Sequence, residues 1–472
     1  MTRSAALLPM LSVVALLSCQ PAGYVGDVVP AASGERLPAF AGAEGFGRNA
    51  TGWRGGAVIK ITNLNDRGHG SLRACAEDSR PRVCIFEVAG TIEVESTIAV
   101  GANVYVAGQT APGDGVQVRL GRASARPMMV RAANDVVIRH LRLRPGPSRV
   151  ESGSVDGIGI FDSHSVILDH LSVQYATDEL LAIGTLSGSV SDITVQDSLF
   201  AWGLDRANHP KGRHSKGALI CTMDGLGECG RISLVRNLFA HNRDRNPDVK
   251  GTSIGPVEIV NNVFYNPKSQ FGEFYDDEGD LRVNYIGNTA LSGPSTRRSK
   301  APHAVEIWND RSATFDVRVY VRDNIDGRHR RSESEPDELA VHPAHRRYLV
   351  PEPFSPLTLE ALASEAALER VLAQAGATAP ARDRLDRQVV EDVINRTGHV
   401  VNDPAAAGGW PSLRSGPVPV DSDGDGMPDQ WELAHGSDPQ AFDAWRDADG
   451  NGWANLEDFL NERAAGSLVT TQ

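Results

Sequence analysis

Short apolar runs recur along the chain between about residues 37 and 350. Examples are VVIRHLRLRPG from Val136, SVILDHLSVQY from Ser165, DITVQDSLFAW from Asp192, RISLVRNLFAH from Arg231, PVEIVNNVFYN from Pro256 and LRVNYIGNTAL from Leu281. Each alternates β-branched residues, takes one polar step, and resumes with a shorter apolar run. The polar step falls at His140, His170, Asp197, Asn237, Asn262 and Asn288. A period in the twenties with one longer interval predicts stacked coils of a parallel β-helix, in which each coil buries its inward residues against the next. A sandwich or jelly roll would not repeat a polar step at near-constant phase. The long interval places an insertion from about Gly203 to Gly230, which carries the basic stretch ANHPKGRHSKG.

The pattern changes on either side. Residues 1–19 hold Arg3 and then an apolar run too short and too weakly flanked for a membrane span. They read as an export signal. Its ending, Leu16-Leu17-Ser18-Cys19, resembles a lipoprotein box, which makes Cys19 a lipidation candidate and the protein a secreted or outer-membrane-anchored lipoprotein of a bacterium. Residues 20–36 read as a tether. After residue 350, LTLEALASEAALERVLAQAGA and DRLDRQVVEDVINRTG carry helical periodicity. Residues 351–415 are therefore expected to form a short helical extension that blunts the open end of the β-helix.

Composition adds limits. The formal charge of −13 over 472 residues argues against nucleic acid as a partner, so any basic patch is local. One such patch is HNRDRNPDVKG, residues 241–251. Beyond Cys19, four cysteines fall into two local pairs, Cys75 with Cys84 and Cys221 with Cys229. In an exported chain these read as disulfides. Zinc lacks both a C-x-x-C spacing and a neighbouring histidine pair. A monomer is expected.

The tail, residues 416–472, reads as a separate module with two acidic loops. Asp421, Asp423, Asp425, Asp429 and Glu432 occupy positions 1, 3, 5, 9 and 12, with Gly426 at position 6. Asp447, Asp449, Asn451, Asn455 and Asp458 repeat the spacing. This is the ligand pattern of an EF-hand-like loop, where hard oxygens surround calcium. A dockerin, which also duplicates such a loop, is the rival.

Several segments then share one resemblance. FAGAEGFGRNATGWRGG from Phe40, ITNLNDRGHGSLRAC, AGQTAPGDG from Ala107, LDHLSVQYATDE and HNRDRNP are similar to bacterial pectate lyases of polysaccharide lyase family one. The resemblance spans roughly residues 38 to 400. It implies a right-handed parallel β-helix and calcium-assisted β-elimination on polygalacturonate, an acidic plant cell-wall polysaccharide. It implies Arg245 as the catalytic base, with Lys250 in place of a second, substrate-binding arginine. Lys216 matches the lysine that binds the substrate carboxylate, with Lys211 the runner-up and Arg243 a further cation in the same knot. Asp156 and Asp178 match calcium ligands. Two further family carboxylates are replaced by Ser154 and Ala182, and Glu179 could compensate, although strand alternation points it away from Asp178. The Asp169-His170 pair reads as structural support at the site edge.

Elementary chemistry fits that reading. Elimination needs a base at C5, positive charge on the adjacent carboxylate, and departure of the C4 oxygen. A guanidinium base has a pKa above about 12, so it predicts an alkaline optimum. Arg243, Lys250 and calcium are expected to depress that pKa. A pectin lyase acting on methyl-esterified polymer, a polygalacturonase-type hydrolase using paired carboxylates, and a non-catalytic adhesin are the competing readings.

Overall fold

In the computed structural model, three parallel sheets wrap one continuous core. The structure describes residues 37–223, 227–275, 278–297, 302–308, 315–355 and 357–466. The signal, Cys19 and the tether lie outside these residues. Successive strands go to the three sheets in turn. One sheet runs from Ala57–Ile61 to Val317–Arg322 with ten strands, the second from Gly90–Val94 to Ile325–Asp326 with nine, and the third from Ile98–Val100 to Val305–Trp308 with eight. This is the expected β-helix.

The alternation read from sequence becomes rows of stacked side chains. Val104, Val136, Val166, Ile193, Ile232, Val257, Val283 and Val319 are register partners from coil to coil, and all are fully buried. Each such side chain removed from water stabilises the fold by roughly 2 kcal/mol. Between the first two sheets the chain turns through a left-handed residue in each coil: His140, His170, Asp197, Arg236 and Asn261 have φ of 46 to 59°. Polar residues that tolerate this region are favoured there.

The polar steps therefore belong to two neighbouring rows rather than one. Gln196 pairs with Val235, so Asp197 stands opposite Arg236, with which it forms an ion pair at 2.9 Å. The asparagines occupy the next position and form their own ladder. Asn237, Asn262 and Asn288 each donate a backbone N–H to the side-chain oxygen of the following asparagine at 2.9 Å, ending on Asn324. Their amide groups donate in turn to buried carbonyls, so none of these buried polar groups is left unsatisfied.

At the first coil the helix Leu72–Ala76 contributes Leu72 and Cys75 to the core. At the last, residues 337–350 bridge back through Val341 to Val305 and Leu349 to Val319. The helices Ser364–Gln374 and Arg384–Asn395 do not blunt the end, as the sequence suggested. They cover a flank, where Val371, Leu385, Val389 and Val393 pack on Leu199, Leu238 and Val263. The tail is not detached either. Met427, Trp431, Leu456 and Phe459 pack on Phe40, Trp53, Val83, Ile85 and Tyr105, on the outer face of the first coils. Both disulfides form, Cys75–Cys84 and Cys221–Cys229, with Cα separations of 6.0 and 5.5 Å. Among the described residues no helix is long and apolar enough to cross a membrane.

Candidate active site

The eight-stranded sheet gathers most of the candidate site residues. Strand Glu179–Thr185 pairs with strand Lys216–Met223, whose Lys216 lies opposite Glu179 and bridges on to Asp244. Arg245 follows Asp244 directly, so the sheet brings the basic insertion and the cationic knot side by side.

Asp156, Asp178 and Glu179 offer oxygens that lie within 4.8 Å of one another. The strand rule fails for Asp178 because the chain bends at Thr177–Asp178 before the strand starts. Glu179 therefore joins Asp178 rather than pointing away. Burial, then the neighbouring Asp178, lifts Glu179 to about 7. Asp156 and Asp178 are raised too, first by burial. Buried oxygens crowded in this way suit a hard divalent cation. Ala182 sits between Gly159 and Leu219 in the sheet and brings no oxygen.

Two histidines, missed from the sequence, support Asp178. The rings of His209 and His214 stack at 3.7 Å. His214 Nε2 lies 2.7 Å from Asp178 Oδ1, and His209 Nε2 lies 3.7 Å from Oδ2. The Lys211 N–H donates to His209 Nδ1 at 3.1 Å, so the His209 proton sits on Nε2 and faces the carboxylate. Burial, then their basic neighbours, lowers both rings to about 4. Both are thus neutral donors at ordinary pH. The stretch ANHPKGRHSKG was legible only as positive charge. Arg126, also missed, donates from Nε to Asp156 at 2.7 Å.

The cationic knot differs from the expected socket. Arg245 donates from Nη1 to Glu179 and lies 3.4 Å from Asp248, while its backbone N–H donates to Glu273 at 2.7 Å. Burial alone would push the guanidinium down, but Glu179, Asp248, Asp244 and Glu273 together outweigh it, and the net shift is upward. This corrects the expectation that neighbouring cations depress it. Arg243 turns instead to Asp205 at 2.8 Å, which Lys268 also meets at 2.6 Å. Lys216 holds Asp244 at 2.5 Å. The Lys250 ammonium sits 4.0 Å above the Tyr275 ring. Lys211 is exposed at the site edge. Asp169 and His170 lie at another corner of the coil, in a buried network with Arg139 and Gln196.

In the tail, oxygens of Asp421, Asp423 and Asp425 converge, as do those of Asp425, Glu432 and Asp443. Asp443 was not foreseen.

Comparison with known proteins places the chain in a family. The chain is 36% identical over 440 residues to a "Probable pectate lyase C" of Aspergillus flavus, covering 92% of this chain and 96% of that protein. A "Probable pectate lyase C" of Emericella nidulans is 33% identical over 92% of this chain and 95% of its own length. These relatives are fungal, not the bacterial ones the sequence resemblance suggested. The structure of jun a 1, the major allergen from cedar pollen, shares the fold at a TM-score of 0.50 with 17% identity, covering 71% of this chain and 92% of that one. Residues 421–440, which contain the first acidic loop, match the bacterial TSP3 repeat. Identity above 30% across nine-tenths of both chains carries the conclusion that this protein belongs to the pectate lyase family and is a polysaccharide lyase.

Proposed function

We propose that the protein cleaves polygalacturonate by calcium-assisted β-elimination, with Arg245 as the base at C5. The observation that carries this reading is the contact of Arg245 with Glu179, one of three carboxylates gathered within 4.8 Å. Asp156, Asp178 and Glu179 are the residues that would hold calcium. When bound, calcium supplies positive charge to the uronate and makes its C5 proton more acidic.

Glu179 meets both Arg245 and the Asp156–Asp178 pair, so it would be shared between calcium and Arg245, with the rest of the guanidinium open to substrate. Lys216 and Lys250 bind substrate carboxylates and orient the sugar. Arg245, neutral in the reacting fraction, takes the C5 proton. The C5–H electron pair forms the C4–C5 double bond, the C4–O4 bond breaks, and the departing oxygen is protonated by water. Lys250 keeps the charge of an arginine but not its two-pronged geometry. The two disulfides support export to an oxidising compartment, with Cys19 proposed as the lipid attachment point.

The test is a chelator titration on pectate and on methyl-esterified pectin, read by ultraviolet absorbance of the unsaturated product. Calcium-dependent absorbance from pectate is expected. New reducing ends without absorbance would make the protein a hydrolase. Chelator-insensitive cleavage of esterified polymer alone would make it a pectin lyase.

A further inference from the structure

The helix Arg384–Asn395 carries two stripes. One, with Leu385, Val389 and Val393, packs on the flank of the β-helix. The other places a polar residue at every fourth position: Arg384, Gln388, Asp392 and then Arg396, which follows the helix end. This second stripe borders two cavities. The first, of about 400 Å³, is lined by Arg384, Gln388, Asp392, His399, Val401 and Trp202. The second, of about 340 Å³, is lined by Arg396, Arg331, Leu291, Ser292, Ile325 and Gly327. Trp202 follows the strand Leu199–Ala201, and Leu291 ends the strand Thr289–Leu291, three strands further along the nine-stranded sheet. Their floors are therefore about 14 Å apart along the coil axis. The helix spans about 18 Å, enough to join the two cavities into one flank site.

The polar groups of this site are not used up within the fold. Arg331 and Arg396 make no ion pair among the described residues, in a chain with 60 acidic and 47 basic residues. Arg330 shows the contrast. It is buried, donates to the Asn324 and Glu333 carbonyls and meets Asp337 at 3.1 Å. Arg331, the next residue, is exposed, and its backbone N–H donates to Glu335 at 2.5 Å. Arg384 donates to the carbonyls of Gly408 and Gly409 rather than to a carboxylate. Asp392 is turned inward, where it accepts from the Thr397 hydroxyl at 2.7 Å and meets His241 at 3.2 Å. Trp202 is buried and stacks on His241 at 5.7 Å. It lines the first cavity, and its indole N–H makes no hydrogen bond among the described residues. Buried donors are ordinarily paired.

Arg396 is also held in a strained backbone. Its φ of 59° is left-handed, at a helix end where glycine is the usual occupant. The helix Asp429–His435 ends in that usual way, on Gly436 at φ 82°. Strain of this kind collects at ligand sites.

We propose that the flank site is a second, non-catalytic binding site for an acidic oligosaccharide, with one uronate carboxylate on Arg331 and Arg396 and a further sugar on Arg384 and the Trp202 N–H. A guanidinium takes a carboxylate through two parallel hydrogen bonds. Leu291 and Ile325 offer an apolar floor to the C–H face of a sugar, and Ser292 and Gln388 offer partners for its hydroxyls. The candidate active site gathers on the eight-stranded sheet, so a polymer held on this flank stays near the enzyme between cleavages and is presented at a raised effective concentration. The proposal rests on the reading of polygalacturonate as the substrate.

The test is calorimetry on the full chain, with a galacturonate trimer, its methyl ester and inorganic phosphate as ligands. It is done in Arg245→Ala with chelator present, where no cleavage is expected, alone and combined with Arg331→Gln or Arg396→Gly. The acidic trimer is expected to fill an equivalent that weakens about tenfold in each combined variant. Arg396→Gly relieves the left-handed strain, so its thermal midpoint is expected to hold or rise, which separates lost binding from lost folding. Absence of any trimer equivalent that responds to Arg331→Gln or Arg396→Gly overturns the site. Phosphate bound as tightly as the trimer makes it an anion site and overturns the saccharide assignment, and equal affinity for the methyl ester overturns the carboxylate role. Should the lyase reading alone fail, the wild type releases no unsaturated product while the equivalent that depends on Arg331 and Arg396 remains.

Discussion

His214 and Asp178 meet at 2.7 Å, ring nitrogen to carboxylate oxygen, and the contact fixes one of the three carboxylates that would hold calcium. A supporting donor of this kind typically changes metal affinity by about 10–100-fold. His214→Ala is therefore expected to weaken calcium binding at the site by roughly tenfold, and His214→Gln, which keeps an N–H donor, to lose less. The same ring is pH-sensitive. Its folded pKa, lowered to about 4, lies below the ordinary value near 6.5. The neutral ring's contribution is thus complete above pH 6.5 and is lost as pH falls through 4. His209, also lowered to about 4, acts in the same direction. The difference in thermal midpoint between wild type and His214→Gln is expected to be largest near neutrality and to shrink towards pH 4. A pH-independent difference would contradict this account.

The carboxylates carry the opposite sign. Glu179, at about 7 in the fold, lies well above its ordinary value, so ionising it costs folding free energy. Its favourable contribution is complete below about pH 4.5 and is lost as pH rises through 7, on the order of 3 kcal/mol in all. Bound calcium offsets the loss. The gain in thermal midpoint from calcium over chelator is therefore expected to grow between pH 5 and 8. Glu432, lifted to about 8 by burial and then by Asp425, adds to the same trend. Glu432→Gln removes the tail's share and leaves that of the β-helix. A calcium increment that stays flat with pH in both proteins would refute the carboxylate explanation.

Arg245 is held as a cation by Glu179, so the two set the alkaline limb of the rate profile together. Arg245→Ala is expected to lower kcat by about 10²–10⁴-fold, the usual contribution of a positioned base, while calcium binding persists. Glu179→Gln removes the largest upward influence on the guanidinium. Its kcat limb at saturating calcium is expected to move to lower pH, even as more calcium is needed. Release of unsaturated product against pH measures both. An unmoved limb in Glu179→Gln would separate Arg245 from the rate-limiting proton transfer.

What the sequence could reveal follows from the range of each interaction. Coil stacking is periodic and was legible, because every coil buries the same inward positions. The row assignment slipped by one residue across the insertion, where Asp197 was aligned with Asn237 although it stands opposite Arg236. Both rows are polar, one for its left-handed backbone and the other for its asparagine ladder, and composition cannot separate them. The charges around Arg245 were not legible. Asp248 is local, but Glu179 and Glu273 arrive from neighbouring coils, so a segment that reads as basic is neutralised in three dimensions. Asp443 escaped because it lies between two motifs rather than within either.

One surface row has no acid–base role and should act on binding alone. Tyr275 and Trp308 are register partners on adjacent strands. Their rings lie 6.2 Å apart and within 14° of parallel, and Trp308 is 43% exposed. With Lys250 above Tyr275, they extend the site along the sheet as alternating cation and aromatic face. A pyranose ring can lay its C–H face on an aromatic plane while its carboxylate meets the lysine. Trp308→Ala is expected to cost about 1.4 kcal/mol of polymer binding, hence roughly tenfold in KM. Because among the described residues the Trp308 ring stacks on Tyr275 and meets neither Arg245 nor the carboxylate cluster, kcat should stay within about twofold. Short oligogalacturonides that do not reach the strip should lose nothing. Equal losses in KM for short and long substrates, or a fall in kcat alone, would take Trp308 out of the binding surface.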